Sequence, residues 1–158
     1  MSSISNLILL KFGLGNEYYG LLLNTLSQVI LLDNILPLPK CPECIYGVGN
    51  HKGTIITVVN TCYIFNKPLP EKIYIALLSE KYSHIGLIIS EKITIKMISN
   101  ININDIQISS INETYGIILE GEFLMDDTLV QLISPKKVYD YLLENVNAYL
   151  RKEFILYA

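Results

Sequence analysis

The sequence has no tryptophan, a single arginine at position 151 and two histidines, His51 and His84, and its net charge is −3. With one arginine and scattered lysines there is no basic stripe and no interleaving of Arg with aromatics. Phosphate neutralisation needs clustered cations, so nucleic acid is excluded as a partner. Three cysteines, an odd number, argue against a disulfide framework. No apolar run approaches the ~18 residues of a spanning helix. The longest, residues 20–32, is broken by Asn24, Thr25, Ser27 and Gln28. Met1 to Asn6 lacks a basic region and a cleavage site, which predicts a cytoplasmic protein with no signal peptide and no direct membrane insertion.

Chemistry is equally sparse. His51 has no serine, cysteine or carboxylate at a spacing that would make a nucleophile–base pair, so no catalytic residue is expected. Cys41-Pro42-Glu43-Cys44 is the one thiol pair, but a structural zinc site wants four ligands, usually from two such pairs. Neither metal nor cofactor is therefore expected. Asp126-Asp127 lacks the further oxygen ligands of a calcium site. Gly13-x-Gly15 and Gly47-x-Gly49 open no helix and are not nucleotide loops.

What the chain does have is apolar residues, 51% of the total, in many short runs. At 158 residues it makes one domain that buries about 70% of its unfolded surface. Strands are expected over Leu7–Phe12 and Glu17–Leu23 around a Gly13–Asn16 turn, and over Ser27–Leu32. Pro37 and Pro39 hold the next stretch extended, and Pro42 is expected to start one helical turn through Cys44, Ile45 and Tyr46. Gly47 to Asn60 reads as a β-hairpin with its tip at Asn50–Gly53 and Lys52 exposed at the turn. In its returning strand Ile55, Ile56, Val58 and Val59 occupy both alternating faces, which predicts cover on both sides.

The proline-rich segment Asn66–Pro70 is the best internal boundary and divides the chain into lobes of about 7–66 and 71–134. Strands follow over 72–78, 85–90 and 92–98, with a turn at 81–84. Residues 100–112 read as a long loop, and strands over 113–120 and 123–133 flank a Glu120–Glu122 turn, the second interrupted at Asp126-Asp127. From Pro135 the apolar residues fall three and four apart (Val138, Tyr141, Leu142, Val146, Tyr149, Leu150, Phe154), an amphipathic helix over 135–154 capped by Ser134. Its apolar stripe is expected to be the buried face. The fold class is thus all-β, as small barrels or a sandwich, with one carboxy-terminal helix.

Several of these segments together resemble the CheW-like family of chemotaxis coupling proteins. The family opens F-x-L-G-x-E-x-Y-G, matched by Phe12, Leu14, Gly15, Glu17, Tyr19 and Gly20. Its signature G-V-x-N-x-R-G-x-I-x-P-V-x-D is matched by Gly47, Val48, Asn50, Gly53, Ile55 and Val58, with Lys52 at the arginine. Gly86–Ser90 mirrors G-L-V-V-D, and Leu132–Val138 loosely echoes L-L-D-x-x-K-L. Thr57 and Asn60 stand at the family's Pro and Asp, and Ser90 and Ser134 at two later Asp positions. Gln28 stands where Glu is common.

The resemblance covers about residues 7–142 and implies one CheW-like domain of two SH3-like five-stranded barrels packed together. It implies a non-catalytic adaptor in two-component signal transduction, near the inner membrane. Such an adaptor couples a chemoreceptor's cytoplasmic tip to the regulatory domain of a CheA-type histidine kinase. On that pattern Lys52, Asn50, Gln28, Val29 and Ile88 are partner contacts, and Gly15, Gly20, Gly47 and Gly53 shape the turns. The alternative from a different class is a small β-barrel binding a metal or small ligand through Cys41 and Cys44 or an inter-lobe cleft.

Overall fold

The structure, a computed structural model, describes residues 7–98, 116–125 and 127–154. The expected loop at 100–112 and the start of a strand at Glu113 lie outside the described residues. Within them the first half of the chain forms β1 (Leu7–Leu14), β2 (Glu17–Leu22), β3 (Leu26–Ile30), β4 (Ile45–His51), β5 (Thr54–Val59) and a short helix α1 (Thr61–Ile64). The second half forms β6 (Tyr74–Leu78), β7 (Ile85–Ile89), β8 (Ile93–Ile98), β9 (Leu119–Met125), β10 (Thr128–Ile133) and the long helix α2 (Pro135–Phe154).

The ten strands make two five-stranded sheets, in the orders β8-β1-β2-β10-β9 and β3-β6-β7-β5-β4. Each sheet draws strands from both halves of the sequence. A short parallel pairing joins the halves in each: Val130–Leu132 runs beside Tyr18–Gly20, and Thr57–Val59 runs beside Ile85–Leu87. The sheets therefore do not coincide with segments 7–66 and 71–134. The reason is that β1 and β2 leave β3–β5 to pair with the late strands. Neither sheet closes on itself by strand pairing among the described residues, so the strand number of two small barrels is met and their closure is not.

The principal core lies between these layers. Leu10, Phe12, Leu14, Tyr19 and Leu21 of the first sheet join one buried cluster with Val59, Ala76, Leu78, Leu87 and Ile89 of the second. Tyr19 stacks on Phe65, just after α1, with ring centroids 4.1 Å apart. On the other face of the first sheet Leu9, Phe123, Val130 and Leu132 form a smaller cluster, which is why consecutive Leu9 and Leu10 are both buried. Each such side chain is worth about 1.5–3 kcal/mol of burial, so the two-sided leucines of β1 anchor the sheet.

Two local expectations are corrected. Glu120–Glu122 does not turn. It runs within β9, where Leu119, Gly121 and Phe123 are buried and the intervening glutamates half-exposed, the two-residue alternation of a half-covered strand. Cys44–Tyr46 is not helical: the Ile45 amide donates to the Pro42 carbonyl at 3.0 Å in a single tight turn, and β4 starts at Ile45. The helical turn sits instead at α1, where Asn60 Oδ1 accepts from the Tyr63 amide at 3.0 Å as an N-cap.

Helix α2 begins as expected, with Ser134 Oγ accepting from the Lys137 amide at 3.3 Å. Val138 and Leu142 are its buried anchors, while Leu143 and Leu150 are exposed. The expected apolar stripe is thus buried at Val138 and Leu142, half-buried at Tyr141, Val146 and Tyr149, and exposed at Leu150.

A polar hub fastens the turn regions. Glu17 accepts from the Tyr19 hydroxyl at 2.9 Å and the Gln131 amide at 3.3 Å, and pairs with Lys67 at 3.3 Å. It so joins β2, β10 and the 66–70 segment. Partial burial pushes the Glu17 pKa up, but the hydrogen bonds from Tyr19 and Gln131 and the Lys67 charge outweigh it and hold the carboxyl below its ordinary 4.5. A lowered folded-state value stabilises the fold above the unfolded pKa, and that contribution is lost as pH falls through the folded value. Glu17→Gln should therefore flatten the loss of thermal midpoint on acidification below about pH 4.5, measured by calorimetry across pH. An unchanged acid limb would contradict the assignment.

Close approach sets a second constraint. A Cβ at Gly47 would lie 2.4 Å from the Leu36 carbonyl oxygen, where the chain crosses β4. Gly47→Ala should cost about 1–3 kcal/mol in urea unfolding, as overpacking against backbone does. Gly53→Ala, which meets nothing and carries only the strain of a positive φ, should cost about 1 kcal/mol.

Candidate docking surface

His51 pairs with Thr54, which leaves Lys52 and Gly53 as a two-residue hairpin loop. Both have positive φ, 51° and 86°, as the type I′ turn demands for strands with right-handed twist. Glycine takes this conformation freely. Lysine does so at a cost of about 1–2 kcal/mol, since its Cβ crowds the following carbonyl. Asn50 Oδ1 accepts from the Gly53 amide at 2.9 Å and helps hold the turn. The Lys52 side chain is exposed at the end of the sheet.

Below the tip the outward face of the hairpin mixes exposed apolar residues with Asn50 and Thr57. Asn50 stands directly opposite Ile55, which is 60% exposed. Two residues along β4 on the same face is half-exposed Val48. Val48 in turn exchanges two backbone hydrogen bonds with Leu36, at 2.8 and 2.9 Å, and Leu36 is 66% exposed. Leu36, Val48 and Ile55 thus form one apolar strip that ends at the Lys52 cation. The expectation that the returning strand is covered on both sides fails at Ile55. Strand β7 pairs with Thr57–Val59 only, so the tip of β5 extends past its neighbour.

The other expected contacts divide. Gln28 is exposed on β3, and its Nε2 lies 3.0 Å from His51 Nε2, so it joins Asn50 and Lys52 in one patch. Val29 is half-buried against the core. Ile88 is fully buried in β7, whose five residues are all buried, and reaches no surface in the free chain. It is a core residue, because β7 is the central strand of its sheet. Gly15 and Gly53 hold positive φ in turns as expected, whereas Gly20 and Gly47 serve by close approach, to the Leu9 side chain and the Leu36 carbonyl.

The polar positions that differ from the family pattern have local structural work. Asn60 caps α1, Ser90 Oγ accepts from the Lys92 amide at 3.2 Å, and Ser134 caps α2. Each neutral side chain supplies the acceptor that an aspartate would. The change of charge leaves the turn intact.

The thiols offer little chemistry. Burial pushes the Cys44 and Cys62 thiols up to about 11, leaving them protonated and poor as nucleophiles. Cys41 Sγ donates to the Leu38 carbonyl at 3.2 Å. Among the described residues no group of three or more His, Cys, Asp and Glu side chains is placed to hold a metal. A cleft of about 330 Å³ lies where the β1–β2 turn, Pro68–Glu71 and Ser90–Lys92 meet. No helix among the described residues is long and apolar enough to cross a membrane.

Three surface residues escaped the sequence. Leu36 and Ile55 look like any other strand apolar residue, and only the offset of neighbouring strands exposes them. His51, weighed in the sequence only as a catalytic base, ends β4 and proves tied to Gln28 across 23 positions of sequence. Nothing in the local pattern signals that pairing.

Comparison with known proteins follows this geometry. No curated protein matches the chain. Among solved structures it is similar to the scaffolding protein TtCheW from Thermoanaerobacter tengcongensis, with a TM-score of 0.73 and 25% sequence identity over 84% of this chain and 86% of that one. The family model described as CheW-like domain matches residues 9–142, from the first two-sided leucine of β1 to the last buried residue of α2. The chain belongs to the CheW-like domain family.

Proposed function

We propose that this chain is a non-catalytic chemotaxis adaptor, a single domain that couples the cytoplasmic tip of a chemoreceptor to the regulatory domain of a CheA-type histidine kinase. The observation that carries the proposal is the strip of Leu36, Val48 and Ile55 running to the Lys52 cation on a stiff hairpin. Exposed apolar residues held on paired strands need little backbone ordering on binding, and a central apolar cluster rimmed by polar groups is the anatomy of a protein interface. The similarity to a scaffolding protein supports the same role.

In this reading each five-stranded sheet is one curled SH3-like barrel, and the apolar strip meets a kinase domain of similar shape. Lys52 faces carboxylate or carbonyl oxygens of the receptor. As an ammonium it acts as a point charge and cannot make the two parallel bonds of a guanidinium. The adaptor would work in the cytoplasm at receptor arrays near the inner membrane, with no cofactor. The metal-binding alternative is disfavoured by geometry, since among the described residues Cys41 and Cys44 are not joined by a third His, Cys, Asp or Glu placed to share an ion.

Turn conformation and charge can be tested separately at position 52. Lys52→Asn removes the cation but suits a positive φ, and should raise stability by about 0.5 kcal/mol while weakening receptor-fragment pull-down. Lys52→Glu should weaken pull-down further and leave the thermal midpoint within about 2–4 °C of wild type. If both variants bind as wild type does, Lys52 is a solvated turn charge and the docking role is wrong.

A further inference from the structure

Strands β3 and β4 are the two opposite edges of the second sheet. Laid flat, five strands would put those edges about 19 Å apart. Yet the Gln28 and His51 side chains, one from each edge, are in hydrogen-bond contact at 3.0 Å. The sheet has curled until its edges meet at the docking hairpin, and this pair fastens them there.

The placement of Gln28 is local and specific. The register of β3 against β6 slips between Leu26 and Gln28, so that Leu26 faces Leu78 and Gln28 faces Leu77. That is a bulge, a device that re-aims a side chain. Its neighbour Val29 turns into the core, and Gln28 is left outside, pointed at His51. His51 is the residue next to Lys52 and the last of β4. A primary amide suits the task, since it both donates and accepts and can serve either tautomer of the imidazole.

We propose that Gln28 and His51 form a positioning latch that holds the Lys52 tip in the orientation a partner recognises. His51 is then a functional member of the docking surface without contacting the partner. Lys52 needs such a hold, because its own backbone conformation is an unfavourable one for lysine. The inference rests on the docking role of Lys52 proposed above and deepens it, since it names what orients that cation.

A double-mutant cycle separates the latch from direct contact. The probe is a purified cytoplasmic hairpin fragment of a chemoreceptor encoded in the same genome, titrated by calorimetry onto the full chain. Gln28→Leu should weaken binding about three- to tenfold, the range of one exposed hydrogen bond. In a Lys52→Ala background the same change should alter affinity less than about twofold, because there is no longer a cation to orient. His51→Ala should behave like Gln28→Leu. His51→Gln, which restores an amide partner, should recover most of the affinity.

An equal loss from Gln28→Leu in both backgrounds would mean that Gln28 touches the partner itself, and would overturn the latch. Unchanged affinity in Gln28→Leu, with a loss in Lys52→Ala, would also overturn it while leaving Lys52 a contact. If Lys52→Ala alone binds as wild type does, the docking role fails and the latch with it.

Discussion

The crossing of Leu36 over Gly47 is the contact on which the proposed docking face depends. The strand β4 is an edge, and an edge leaves a row of unpaired amides and carbonyls. Here the chain after β3 returns across it, and the Leu36 amide and carbonyl both bond Val48. The approach is possible only because position 47 has no side chain to meet the Leu36 carbonyl. One missing methyl group thus lets the strap lie flat and puts Leu36 beside Val48 on the outer face.

The frame behind this face is rigid for a separate reason. Two short parallel pairings bind early strands to late ones, so neither sheet can form from one half of the chain. Contacts this distant in sequence favour slow, all-or-none folding and a native state whose parts do not loosen independently. Such a frame suits an adaptor. Affinity that comes from presenting apolar residues at fixed positions is wasted if the presenting strands must be ordered on binding.

Much of this was legible from residues alone, and what was not has a common cause. The Gly-Leu-Gly-Asn and Lys-Gly turns, the Ser134 cap and the three-and-four spacing of α2 are local signals, and the corresponding elements stand where those signals put them. The turn expected at Glu120–Glu122 failed because Gly between glutamates looks polar and loose, while the burial of Leu119 and Phe123 on either side is a tertiary fact. Ile88 and Ile55 exchanged roles for the same reason. A five-residue apolar strand and an isoleucine near a hairpin tip look alike in sequence, and their exposure is decided by which strand ends first beside them. The Gln28–His51 contact joins opposite edges of one sheet and could not be read from either end.

The altered charges at positions 60, 90 and 134 fit this division between frame and face. Their side chains cap helices and a turn, tasks that need an acceptor and not a charge, so they bear on folding, and in the proposed reading recognition falls to the strip and its cation. The most direct measurement of that claim is hydrogen–deuterium exchange on the full chain, free and with receptor fragment and kinase regulatory domain both added. The account predicts new protection over 34–36 and 48–56, with β7 already protected in the free chain and unchanged. Protection absent from the hairpin, or confined to the cleft at residues 68–71 and 90–92, would contradict it.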